Sequence, residues 1–126
     1  MIYVSIGGMQ LKRWTGYFRI ILPTMRVLKA AKRTEGCVHA DTFKADSVFY
    51  AVSAWDSQER MQGFARAGLH GQLTDMAMDR MAMFFNHSQA LESLPDRKAC
   101  VAAWETAIAA RAKLCIRSWL SQADTA

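Results

Sequence analysis

No acidic residue precedes Glu35 in this sequence of 126 residues, whereas Lys12, Arg13, Arg19, Arg26, Lys29, Lys32 and Arg33 all do. The whole chain carries a net charge of +5, from 16 Lys plus Arg against 11 Asp plus Glu. A basic N-terminal quarter would suit a nucleic-acid surface, but base-stacking motifs and Gly-rich basic tails are also missing. Arg19, Arg26 and Arg33 recur every seven residues, as on the solvated face of one helix, so no nucleic-acid partner is expected. The three cysteines, Cys37, Cys100 and Cys115, show no CxxC spacing. A disulfide framework and a zinc knuckle both lose support, and a reducing cytoplasm fits best. No apolar run approaches the ~18 residues of a membrane span, and no basic segment leads into an apolar leader, so neither a membrane partner nor export is expected. A Gly-rich phosphate loop, a Ser-His-Asp order, a close carboxylate pair and HExxH are absent too. These absences argue against nucleotide hydrolysis, serine-triad acyl transfer, glycoside hydrolysis and zinc proteolysis.

What is present is apolar: 52% of residues are hydrophobic and 21% charged. Without repeats or low-complexity linkers, this composition predicts one domain over 1–126, with more apolar material than its own core needs. Ile2, Val4 and Ile6 alternate with Tyr3 and Ser5, which predicts a strand that Gly7-Gly8 weakens or bulges. From Phe18, apolar residues at Ile21, Leu22, Met25 and Leu28 predict an amphipathic helix to about Thr34, with the arginines opposite. Pro23 either kinks this helix or moves its regular part to Leu22, and Gly36 ends it. Val38 to Phe43 and Val48 to Trp55 predict a hairpin across Lys44-Ala45-Asp46-Ser47.

Asp56 with Glu59 has the spacing of a capping box opening a second helix at Met61 and Phe64. Gly63, Gly68 and Gly71 punctuate it before Leu73, Met76 and Ala77 resume the stripe. Ala82 to His87 reads as a last short strand, and a C-terminal helix is expected over about 96–120. The order βαββαβ plus a terminal helix defines an α+β, ferredoxin-like arrangement with both main helices on one sheet face. Both faces of the third strand are largely apolar, so the second face predicts a homodimer whose sheets close on each other.

Certain segments carry a family resemblance: Leu11-Lys12-Arg13-Trp14 through to Glu35-Gly36, Val52-Ser53-Ala54-Trp55-Asp56, Met61-x-x-Phe64, and Gly68-Leu69-His70. Over roughly 1–108 the chain resembles the dimeric α/β-barrel superfamily of antibiotic-biosynthesis monooxygenases, and more narrowly relatives of spheroidene monooxygenase. The resemblance implies a dimeric α/β barrel enclosing an apolar pocket, with either no cofactor or haem, and a monooxygenase-like activity. The superfamily also holds members with no known activity. Its haem-degrading branch uses an Asn on the first strand, a Trp on the second helix and a His ten residues on. Those places fall at Gly7 or a neighbour, Phe64 and Thr74, which puts haem degradation in doubt.

His70 matches the histidine that ends a Phe-x5-His pattern in the narrower group, and it is the first candidate for acid/base work or haem ligation. Its structural alternative is a polar residue packing the Gly68–Gly71 break. His87 is a second candidate, on the strand face of Met83 and Phe85, whereas His39 reads as solvated. Tyr3, Tyr50, Trp55, Phe64 and Phe85 are candidate walls for an apolar or aromatic small molecule, as well as ordinary core residues. Met76, Met78, Met81 and Met83 would suit an adaptable apolar wall or plain packing.

Overall fold

A computed structural model describes the backbone of residues 1–11, 16–66 and 81–125, with side chains at 1–11, 19, 22–64 and 85–114. It divides into two compact units, Met1–Leu94 and Pro95–Ala126. The first contains β1 (Ile2–Leu11), α1 (Gly16–Arg33), β2 (Cys37–Ala45), β3 (Val48–Trp55), α2 (Gln58–Arg66) and β4 (Met81–Leu91); the second contains α3 (Arg97–Thr125). The four strands form one antiparallel sheet in the order β2-β3-β1-β4, the ferredoxin-like arrangement.

Pairing extends further than the alternation suggested. β1 runs through Gly7 and Gly8 to Leu11, and its register against β4 shifts only between Gln10 and Leu11. Gly8 stays in the ladder, buried, with Tyr50 as its partner on one side and Phe85 on the other. β4 likewise continues past His87 to Leu91, held by backbone pairing with Ile2 to Ser5. The hairpin loop shrinks to Asp46-Ser47, since Ala45 pairs with Val48, and Asp46 takes a left-handed φ of 55°. Aspartate tolerates that conformation better than most residues.

Side chains of residues paired across antiparallel strands share a face, so the register sorts the sheet into two sides. Val4, Ile6, Tyr50, Val52 and Ala54 occupy one side and are buried within a single chain. On the other side the ends are apolar and the middle is small. Trp55 is fully buried there against Ala31 of α1, Ala40 of β2, and Met61 and Phe64 of α2, while Met9 packs with Leu11 and Phe49 at the far end. Between them Ser5 and Ser53 are half-buried and Ala51 is exposed. The expectation of a bare, greasy second face is thereby corrected: the uncovered stretch is polar or small, because Ser53 and Ala51 carry too little apolar surface to form a layer.

α1 continues through Pro23, and its inner face matches the expected one only in part: Leu28 packs on the Trp55 cluster as expected. Thr24, Val27 and Ala31 are buried, whereas Leu22 and Met25, which the apolar stripe placed inward, are exposed. Positions 24, 27 and 31 are the ones whose small or branched side chains permit close approach of helix to sheet, as Ala31 against Ala40 illustrates. Gly36, with φ of 92°, is the third residue of the Thr34–Cys37 turn that follows α1, closed by Cys37 N donating to Thr34 O at 3.2 Å. At α2 the cap is Ser57, whose Oγ accepts from Arg60 N at 3.2 Å. Asp56, the expected cap, instead binds the Arg60 guanidinium at 2.9 Å, and Arg60 also reaches Glu35 at 3.5 Å. In the second unit, Asp96 caps α3 by accepting from Ala99 N at 2.7 Å, and Cys100 and Trp104 one turn apart are buried.

Candidate functional site

The central strands place four residue pairs in a row on one face: Tyr3 with Trp55, Ser5 with Ser53, Gly7 with Ala51, and Met9 with Phe49. β4 widens the row by setting Ser88 beside Ser5 and Asn86 beside Gly7. At the rise of an extended strand, Tyr3 to Met9 spans about 20 Å. The result is a lane with a floor of small side chains and an apolar wall at each end. Gly7 contributes no side chain at its centre.

The floor carries hydrogen-bonding groups but no charge. Ser5 Oγ donates to Asn86 Oδ1 at 3.1 Å, and Asn86 Nδ2 donates to Ser88 Oγ at 3.4 Å. That chain leaves a second Asn86 N–H and the Ser88 hydroxyl proton for another partner. At one end Trp55 stacks at a tilt on Phe64, with ring centroids 5.2 Å apart and planes at 34°. Its indole Nε1 is buried without a hydrogen-bond partner, as is Thr24 Oγ1 on the inner row of α1. Buried donors without acceptors cost on the order of 1–3 kcal/mol each, so these two are unusual.

The anticipated site residues fall into three groups. Tyr3, Trp55 and Phe64 come together at the aromatic end of the lane. Tyr50, Phe85 and His87 share the opposite face, where Gly8 pairs with both Tyr50 and Phe85 and Ile6 pairs with His87. Tyr50 is buried there and stacks on Phe43 at 5.3 Å. His70 lies outside the described residues, as do Thr74, the Gly68–Gly71 break and the side chains of Met76, Met78, Met81 and Met83. His87 Nε2 sits 2.7 Å from Gln89 Oε1. His39 is exposed, opposite Ala54 just after the bulge in β2.

The polar floor was missed in the sequence because Ser5, Ser53, Asn86 and Ser88 belong to three strands and only the register unites them. Its signal was the period-2 run of small residues: Ser5-x-Gly7, Ala51-x-Ser53 and Asn86-x-Ser88. The described floor of the lane holds no histidine or cysteine, and His70, the candidate haem ligand, lies outside the described residues. One titration stands out elsewhere: burial pushes the Cys37 thiol above its usual range, against smaller downward pulls from its bond to His39 O and from the Lys32 charge.

Solved structures with the same sheet and helices identify the architecture. A protein of Nitrosomonas europaea named "Putative antibiotic biosynthesis monooxygenase" superposes with a TM-score of 0.67 at 13% identity, covering 75% of this chain and 94% of that one. A Deinococcus radiodurans protein of the same description gives 0.66 at 12% identity, over 76% of this chain and 97% of that one. The chain has the fold of the antibiotic-biosynthesis-monooxygenase-like proteins. A conserved Bacteroides thetaiotaomicron protein of unknown function, described as "Possible Oxidoreductase", shares it at a TM-score of 0.61 and 15% identity, over 71% of this chain and 96% of that one. No family model and no curated protein matches the chain. At these identities the likeness is one of fold.

Proposed function

We propose that the chain is a monooxygenase-like protein that binds a small apolar or aromatic molecule along the lane and oxidises it. The observation that carries this reading is the lane itself: an uncharged floor of small residues between Tyr3–Trp55–Phe64 and Met9–Phe49. Such a surface suits a ligand that is flat and mostly apolar, with an oxygen function near its middle to meet Ser5, Asn86 and Ser88. The buried Trp55 N–H would gain an acceptor if a ligand oxygen reached that end.

His70 is assigned the proton transfer, with His87 as a secondary candidate. The reaction is either cofactor-free or haem-assisted, and no step is routed through haem. The narrower likeness to relatives of spheroidene monooxygenase adds terpenoids to the candidate ligands. A homodimer is part of this proposal: Asn86, Ser88 and Ala90 of β4 are exposed in one chain, on the side of the lane away from the helices that pack on Trp55, and are open to a second copy.

A panel of aromatic and terpenoid compounds, scored both by melting temperature and by oxygen uptake, tests the reading. Ligands that stabilise the protein should also drive oxygen uptake that His70→Ala abolishes. Stabilisation without oxygen uptake by any compound would favour a second reading, a non-catalytic ligand-binding domain. That alternative is supported by the absence of a side chain at Gly7 and by Phe64 in place of a tryptophan. Hemin uptake with a sharp Soret shift lost in His70→Ala would favour the haem-assisted version.

A further inference from the structure

The outward face of α1 brings together cationic and apolar side chains that the sequence pattern placed on opposite sides of the helix. At 3.6 residues per turn, Arg19, Leu22, Met25, Arg26, Lys29, Lys32 and Arg33 fall within an arc of about 140°. All seven are exposed, Leu22 at 61% and Met25 at 41%. Thr24, Val27 and Ala31 point the other way. The stripe therefore contains five cations and no anion, with two apolar side chains in its midst. None of the five cations is in an ion pair among the described residues.

We infer that this face of α1 docks the protein on an anionic lipid bilayer. An exposed cationic stripe alone would be an ordinary solvated helix face, as the seven-residue spacing of its arginines suggests. What changes the reading is the outward placement of Leu22 and Met25, which water disfavours and which a helix core would have taken in. Interfacial helices combine those two features: cations lie at lipid phosphates while apolar side chains insert between headgroups. A second copy of the chain is a poor occupant, because two such faces would set ten cations against one another. A nucleic acid would match the charge but would leave Leu22 and Met25 without apolar partners in a layer of phosphates. The helix lies along the surface and does not cross it; no helix among the described residues is long and apolar enough to span a membrane.

Cosedimentation with vesicles tests the inference, using the full chain at 50 mM salt. Vesicles of phosphatidylcholine with one-third phosphatidylserine should pull the protein down, and pure phosphatidylcholine vesicles or 500 mM salt should not. The R26Q/K29Q variant should partition about thirtyfold more weakly, at roughly fivefold per basic residue. The L22S/M25S variant keeps every charge and should still lose about tenfold, from the apolar surface withdrawn from the interface. Circular dichroism and a melting curve confirm that each variant is folded; both changes are at exposed positions. Failure of the wild-type protein to bind anionic vesicles at low salt would overturn the inference. So would wild-type affinity in L22S/M25S, or tighter binding to duplex DNA than to vesicles at equal phosphate concentration.

Discussion

Gly36 shows how one residue can hold a junction. Its φ of 92° is unfavourable for any side chain, and a Cβ there would run into the Arg60 side chain and lie 2.6 Å from Asp56 Oδ1. Its carbonyl also accepts from Asp56 N at 2.9 Å, tying the end of α1 to the end of β3. Gly36→Ala should therefore cost about 1–3 kcal/mol in urea denaturation, from backbone strain and displaced side chains together. The neighbouring Cys37 gives a pH test. Its folded-state pKa is raised by burial, so the folded chain keeps this proton at pH values where the unfolded chain has released it. Stability should fall as pH rises through the cysteine range, and Cys37→Ser should flatten that fall between pH 8 and 10. Alkylation of Cys37 at pH 8, followed by mass spectrometry, should be slower than that of a free thiol.

At the scale of elements, the strands and helices were legible in the sequence where local chemistry decides them. β1 announced itself by alternation, β3 by its run from Val48 to Trp55 after Lys44-Ala45-Asp46-Ser47, and the helix expected over about 96–120 is α3. What escaped were choices that only tertiary contacts make. The apolar spacing of α1 pointed to Leu22 and Met25 as its inner face, yet the tight seam with Ala40 selects Thr24, Val27 and Ala31. Gly7-Gly8 read as a weakening or bulge, yet the ladder runs through both, with Gly8 buried between Tyr50 and Phe85. Gly8→Val should thus overpack that face and destabilise the protein by about 1–3 kcal/mol, detectable as a lower urea midpoint. At α2 two neighbouring residues exchange roles. Ser57→Ala should cost about 1 kcal/mol by removing the cap, whereas Asp56→Ala removes a surface ion pair and should cost less. The reverse order in thermal melts would return the cap to Asp56.

For the whole molecule, the sequence disclosed the ferredoxin-like order and, through Trp55 and Phe64, one end of the candidate site. The polar floor was hidden because Ser5, Ser53, Asn86 and Ser88 become neighbours only when three strands find their register. The aromatic residues gathered as one pocket wall in the sequence are shared between two faces, since a residue's side of a sheet depends on pairing parity that composition does not reveal. If α1 rests on a bilayer, apolar ligands dissolved there lie close to the protein that is proposed to receive them.

Everything assigned to the lane depends on its central emptiness, and Gly7→Leu fills that space without adding charge. The decisive measurement is the melting temperature of the wild-type and Gly7→Leu proteins, each with and without a saturating aromatic or terpenoid ligand. The wild-type protein should be stabilised by about 2.7 kcal/mol at a ligand concentration of one hundred times Kd. Gly7→Leu should melt near the unliganded wild-type temperature and gain nothing from the ligand. An equal ligand-induced rise in both proteins would place the binding site elsewhere and contradict the account.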